Sequence, residues 1–400
     1  MAALEPPRRR TTGTPRSDAT AWRVFRSQPV PGQRLFGLLR SLPGAEHSAA
    51  GLGAAMALGD CEITSLLDAL SSGGLVEAMS GGRYVVSRIG AALRPEWSGA
   101  ETRSVQRWYD WCLSNVAAAA DLLYPQAIRL EATTSTTIPS TGLTTSAQAA
   151  AWLDLELANL RDAIVAARGF GLGRFAWLLA DALRGHVWQT PYRLDWTETA
   201  SAAVAAARTV GNPRAVAAAY LCLADAYFLA GELDRAEEAC AAVGAHAARA
   251  GWLSGSAASY SNRGGINHRR GRLDAAMRDY LHALELFGAA GRPGSQATLY
   301  NSIGSVHLAQ GVVNQALVFH RRALVTFRQL GSLAGEARTL ELLAQALAAG
   351  GQRGAAQRGL VQAFVVYGRL GDRVGEARMR ALAANLSAAD DDQERDQPAA

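Results

Sequence analysis

Apolar residues in the second half of the chain recur at helical spacing, and each run stops at glycine. Leu221 to Gly231, Tyr300 to Gly311 and Leu340 to Gly351 all place aliphatic or aromatic side chains on one helical face before the glycine. The stops fall on two rulers of period 40: Gly231, Gly271, Gly311 and Gly351 on one, Gly211, Gly251, Gly291, Gly331 and Gly371 on the other. Glycine ends a helix with positive φ at no steric cost, so this spacing predicts helix and turn alternating without drift. Small residues keep the same beat, with Ala217, Ala257, Ala297, Ala337 and Ala377 in one phase and Ala236, Ala276, Ala316 and Ala356 in another. Phe287, Phe327 and Tyr367 share an aromatic position. No β-branched run of strand length interrupts the pattern, which predicts a mostly α protein built as an α-solenoid of helical hairpins.

The rhythm weakens upstream. An earlier, degenerate turn of the solenoid reaches back to Gly171, with helices near Arg174 to Val187 and Leu194 to Ala207 and Thr190-Pro191 in place of a turn glycine. Gln148 to Arg168, with Trp152, Leu153, Leu155, Leu160 and Ile164 on apolar positions, reads as a capping helix. Before it, Arg34 to Leu42, Ala49 to Ala57 and Glu62 to Ser72 read as short helices. Leu75 to Met79 and Arg83 to Ser87 read as strands joined at Ser80-Gly81-Gly82. Three helices and a hairpin predict a winged helix. The expected organisation is a disordered basic arm (1–31), a winged-helix domain (32–96), a helical connector (97–130), a Thr/Ser-rich linker (131–146), the repeat solenoid (147–386) and an acidic disordered tail (387–400).

Ala224, Gly264, Gly304 and Ala344 in the first helices, then Ala236, Ala276, Ala316 and Ala356 in the second, followed by Cys240, Tyr280, His320 and Leu360, resemble the tetratricopeptide repeat. A second resemblance spans about residues 32–386. It is carried by Leu35-Phe36-Gly37-Leu38-Leu39, Leu66-Leu67-Asp68-Ala69-Leu70 with Gly74-Leu75-Val76-Glu77, Arg107-Trp108-Tyr109-Asp110-Trp111, and Trp152-Leu153-Asp154. Together these resemble the C-terminal half of bacterial signal-transducing regulators of the Streptomyces antibiotic regulatory protein type. The resemblance implies a winged helix, a connector and repeats acting in transcriptional regulation. The DNA-binding and nucleotide-binding domains that precede this half in the family are not in the sequence, and Ser87-Arg88-Ile89 stands where the family has His-Asp-Leu.

Composition removes most enzymatic alternatives. All 40 cationic side chains are Arg, which excludes a Walker-type phosphate loop and Schiff-base chemistry, both of which need Lys. The same usage, with abundant Ala and Gly, suggests a high-GC genome. Gly169 to Gly173 is glycine-rich but follows a helix instead of a strand, so it is no dinucleotide fingerprint. Cys61, Cys112, Cys222 and Cys240 have no metal-ligand spacing, and the histidines form no HExxH. The expectation is a non-enzymatic cytoplasmic protein with no cofactor, no metal and no membrane span. Oligomeric state has no signature here.

A net charge of +5 over 400 residues favours no wholesale coating of nucleic acid. The helix that would enter a DNA groove carries Asp60, Glu62 and Asp68 and no Arg, leaving only Arg83 and Arg88 as possible DNA contacts. DNA binding is therefore the disfavoured alternative, and a protein or peptide in the concave groove of the repeats is the favoured partner. The groove positions expected from the first helices are Asp225, Phe228, Ser261, His268, Arg269, Asn301, Ser305, Arg338, Glu341 and Gln345. Their mixture of hydroxyl, amide and charged groups suits a peptide backbone.

Overall fold

The structure is a computed structural model that describes residues 15–93, 99–130, 142–189 and 196–395. It opens with α1 (Pro15–Ser27), α2 (Val30–Ser41), β1 (His47–Ser48), α3 (Ala49–Met56), α4 (Asp60–Ser72), β2 (Val76–Met79) and β3 (Arg83–Val86). A long α5 (Gly99–Leu123) follows, then α6 (Ser146–Ala166), α7 (Arg174–Gln189) and α8 (Thr197–Val210). From there the helices start at 20-residue steps: α9 (Pro213–Ala230), α10 (Leu233–Arg249), α11 (Leu253–Arg269), α12 (Leu273–Ala289), α13 (Pro293–Ala309), α14 (Val313–Gln329), α15 (Leu333–Ala349), α16 (Arg353–Leu370) and α17 (Arg373–Arg395).

Glycine sets this rhythm. Every turn glycine from Gly211 to Gly371 has φ between 60° and 82°, a region open to glycine and strained for other residues. At Gly271 the next N–H, from Arg272, returns to the carbonyl of Asn267 at 2.9 Å and closes the preceding helix.

Hairpin interiors are matched by size. A Cβ built on Gly264 would lie 2.6 Å from the Tyr280 ring, and one on Gly304 would lie 2.7 Å from the His320 ring. The equivalent slots hold Ala224 and Ala344, where the equivalent second-helix residues are the ring-free Cys240 and Leu360. Glycine in a helix interior costs about 1 kcal/mol relative to alanine, so it persists here because the ring needs the space. Gly264→Ala is expected to destabilise the protein by about 1–3 kcal/mol through overpacking, and Tyr280→Leu in the same chain to recover part of that loss. Urea unfolding of both single variants and the double measures the coupling. Strict additivity would show that the two positions do not share one space.

In the N-terminal part, β1, β3 and β2 form an antiparallel sheet in that order, with His47 opposite Tyr84 and Ala78 opposite Tyr84 on the other side. The two-residue β1 was not legible in the sequence. A buried cluster runs without a break from Ala21 and Phe36 through Leu67, Tyr109, Leu153 and Phe175 to Cys240 and Ile266. The N-terminal elements therefore share their core with the first repeats.

Three boundaries differ from expectation. The disordered arm expected through residue 31 is helical from Pro15, because Ala21 and Phe25 lie one turn apart and are buried, Phe25 with its ring 5.5 Å from Phe36. The acidic tail expected from residue 387 continues α17 to Arg395. The connector expected to be helical to residue 130 stops at Leu123, and residues 124–130 leave the helix and run along the repeats. Residues 1–14, 131–141, Thr190-Pro191 and 396–400, on which parts of the arm, linker, turn and tail expectations fall, lie outside the described residues. Among the described residues no single helix is long and apolar enough to cross a membrane.

Candidate functional site

The first helices of successive hairpins, α7, α9, α11, α13 and α15, line a concave groove of about 770 Å³. Leu123, Tyr124, Gln126, Ala127 and Ile128, from the end of α5 and the segment after it, line the same groove. Of the residues expected from sequence, the groove brings together Asp225, Phe228, Ser261, His268, Arg269, Asn301, Ser305 and Arg338. Glu341 and Gln345 are not in its lining.

Lining the groove is not the same as facing a partner. Phe228, Ser261, His268 and Ser305 are half-buried, and Arg269 and Arg338 are exposed. Arg269 lies over the Phe228 ring at 5.2 Å and donates to the Phe228 carbonyl at 2.7 Å, while Trp188, 40% exposed, also packs against the Phe228 ring at 5.6 Å. This gives the groove an aromatic ledge with a cationic rim. Beyond it Thr298, Ser302 and Ser305 add hydroxyl groups along α13. Burial holds the His268 imidazole below its ordinary pKa, so it is neutral near pH 7 and can donate at one nitrogen and accept at the other.

Three expected contacts are instead consumed inside the protein. The Asn301 amide donates to Thr339 Oγ1 at 2.7 Å, and its oxygen sits 3.1 Å from His320 Nδ1. His320 is itself fully buried, and burial, reinforced by Arg338, lowers its pKa to about 4. Asn301 is thus a strut between α13, α14 and α15. Glu341, 2% exposed, accepts from Arg378 at 3.0 Å and from the Tyr367 hydroxyl at 3.0 Å, with Arg338 also 3.0 Å away. Asp225 is buried and accepts from Asn262 at 2.6 Å. A buried polar group left unmatched costs stability, and in these three that demand outranks ligand contact.

Sequence reasoning missed the deepest part of the groove. On α7, Asp181 and Arg184 stand beside Asp225 in one buried charge cluster. Arg184 Nη1 is 3.6 Å from Asp225 Oδ2, and its Nε is 3.8 Å from Asp181 Oδ1. Burial pushes both carboxyls above the ordinary aspartate value, against the pull of Arg184 on each. Asp181 also accepts the Leu130 N–H at 2.6 Å, and Arg184 donates to the Ile128 carbonyl. The available signal was Gly185: a glycine inside an apolar helix marks close approach, and a Cβ there would lie 2.8 Å from the Tyr124 ring.

The possible DNA contacts separate as well. Arg83 is 6% exposed and bound to Glu46 at 3.0 Å and Glu156 at 2.6 Å, so it faces the protein interior and not a duplex. Arg88 is exposed.

No family model and no curated protein matches the sequence. Several solved structures are similar in shape at low identity, and tetratricopeptide-like repeat proteins stand among them. The Rap conjugation gene regulator of plasmid pLS20, in complex with the Phr* peptide, is 13% identical over 68% of this chain and 79% of its own, with a TM-score of 0.47. A signal transduction ATPase with numerous domains and a tetratricopeptide repeat sensor, from Pyrococcus horikoshii, is 14% identical over 94% of this chain and 56% of its own, at 0.44. BtubC from P. vanneervenii is 20% identical over 56% of this chain and 88% of its own, at 0.40.

Proposed function

We propose that this chain is a non-enzymatic regulatory module that binds a peptide, or a peptide-like segment of a protein, in the concave groove of its repeats. The observation that carries this reading is the groove stretch from Phe228 to Ser305. There an aromatic ledge, an exposed Arg269 and a row of hydroxyl groups line one continuous depression. Such a surface offers apolar area for side chains and, because Thr298, Ser302 and Ser305 donate to carbonyls of their own helix, hydroxyl lone pairs that accept from a backbone, with the neutral His268 as a donor. In this reading α2, α3, α4 and the β2–β3 hairpin form a winged helix, and the setting is bacterial transcriptional regulation, supported by the residue motifs that resemble antibiotic regulators. DNA contact through the hairpin is not favoured, since Arg83 is engaged internally.

The test is a selection of peptides from a random display library on the immobilised protein, followed by titration against Ser261→Arg. Ser261 is half-buried in the groove lining, so an arginine there obstructs the depression while the helix is kept. The expected result is binding weakened at least roughly tenfold with an unchanged unfolding midpoint, the range for loss of a central contact. Selected peptides that bind Ser261→Arg as well as the original would place the binding surface elsewhere.

A further inference from the structure

Part of the groove lining is a non-helical segment of the same chain. After α5 ends at Leu123, the segment 124–130 runs across the first helices of the array. Its contacts are of the kind a bound peptide makes. The Ile128 side chain is 8% exposed, in a cluster with Ala217, Leu221 and Tyr280 from α9 and α12. The Ile128 carbonyl accepts from Arg184, and the Leu130 N–H donates to Asp181 Oδ2 at 2.6 Å. A carbonyl and the N–H two residues on lie along the same edge of an extended chain, so one acid and one base separated by a single helical turn read that edge together. Between Ile128 and Leu130, Arg129 ties the segment back to α5, donating to Asp121 Oδ1 at 2.5 Å and to the Ala117 carbonyl at 3.4 Å.

Two glycines make room for the segment. A Cβ at Gly185 would lie 2.8 Å from the Tyr124 ring, and one at Gly294 would lie 2.5 Å from Gln126 Cβ. The segment and the stretch from Phe228 to Ser305 line one depression.

We infer that residues 124–130 are an intrachain ligand of the groove, and that an extended peptide with aliphatic residues two apart, as in Ile128-Arg129-Leu130, competes for the same backbone clamp of Asp181 and Arg184. This rests on the groove reading above and deepens it: the partner is recognised by its main chain plus one branched aliphatic anchor. Because the segment continues directly from α5, which packs on α3, α6 and α7, displacing it transmits occupancy of the groove to the N-terminal elements. A tethered segment competes at an effective concentration of about millimolar, so the intact chain binds a free peptide of the same kind only weakly.

The probe is a fluorescein-labelled synthetic heptapeptide with the sequence of residues 124–130, titrated by anisotropy against the full chain and against Ile128→Asp. An aspartate cannot occupy the apolar site, so the variant vacates it. The expected result is binding at least tenfold tighter to Ile128→Asp than to the original chain. Because that variant could lose its fold, the second measurement uses the unaltered protein. Hydrogen exchange of the 124–130 segment is followed with and without millimolar heptapeptide, and exchange of that segment at least fivefold faster in its presence is expected. Unchanged exchange, or equal weak binding by a folded Ile128→Asp, overturns the inference. Peptides from the display selection that remain sensitive to Ser261→Arg would then leave the groove reading standing, whereas insensitivity there removes both.

Discussion

Replacing Arg184 with methionine is expected to destabilise the protein by about 3–5 kcal/mol, the range found when one partner is taken from a buried ion cluster. The reason lies in what remains. Asp181 and Asp225 are 1% and 3% exposed, and Arg184 is the guanidinium between them. Without it two carboxylates stay buried with uncharged hydrogen-bond donors, the Leu130 N–H on Asp181 and the Asn262 amide and Trp188 indole on Asp225. Methionine fills similar volume, so lost packing contributes little. Asp225→Asn keeps Asp181 paired with Arg184 and should cost much less, about 1 kcal/mol.

The same substitution has a signature in pH. Burial raises both carboxyls in the folded protein above their unfolded values. A carboxyl raised in this way contributes stability at low pH, and the contribution is lost as pH rises through the folded pKa. Removing the guanidinium raises both carboxyls further, so the deficit of Arg184→Met should be widest where both are ionised and narrow on acidification as they take up protons. Urea unfolding at several pH values measures it. A deficit that does not change with pH would mean that lost packing, not charge, carries the effect.

How far the sequence could be read depended on whether a feature repeats. The turn glycines were legible because each has the same conformational task at the same interval, and Gly211 to Gly371 all take positive φ. The groove was legible as a face, since eight of ten named positions line it, but not as chemistry. Periodicity says which direction a side chain points and nothing about its neighbours from another helix. Asn301 points toward the groove yet is held by His320 and Thr339, and Glu341 lies among Arg338, Arg378 and Tyr367. Apart from Arg338, one helical turn before Glu341, those partners lie 19 to 38 positions away, beyond any local pattern. The segment 124–130 was illegible for a related reason: its neighbours on α7, α9 and α13 are placed by folding alone. Arg83 looked like a hairpin cation because it stands beside Gly82, and only its pairing with β1 and its contact with α6 show that it points inward.

Arg83 therefore supports the second large effect. Its guanidinium binds both oxygens of Glu156, at 2.6 and 3.3 Å, and reaches the Glu46 carboxylate and carbonyl at 3.0 Å each. Asn159 completes the cluster, donating to the Glu46 carbonyl at 2.7 Å and to Glu156 at 3.0 Å. Gly44, with φ of 110°, allows the loop to pass so close that a Cβ would lie 2.3 Å from Asn159 Oδ1. Three separate pieces of chain, the loop before β1, strand β3 and helix α6, are thus fastened at one point. Arg83→Met should leave Glu156, 5% exposed, with a charge and no cation, and cost about 3–5 kcal/mol. The loss should be concentrated at this junction: amide exchange should accelerate in residues 44–48, 83–86 and the middle of α6, while α13 to α16 keep their protection. Glu156→Gln added to Arg83→Met should recover part of the stability, because the glutamine removes the stranded charge and still accepts from Asn159. Uniform acceleration across all the repeats would show instead that the array and the N-terminal elements unfold as one unit, with this cluster one contact among many.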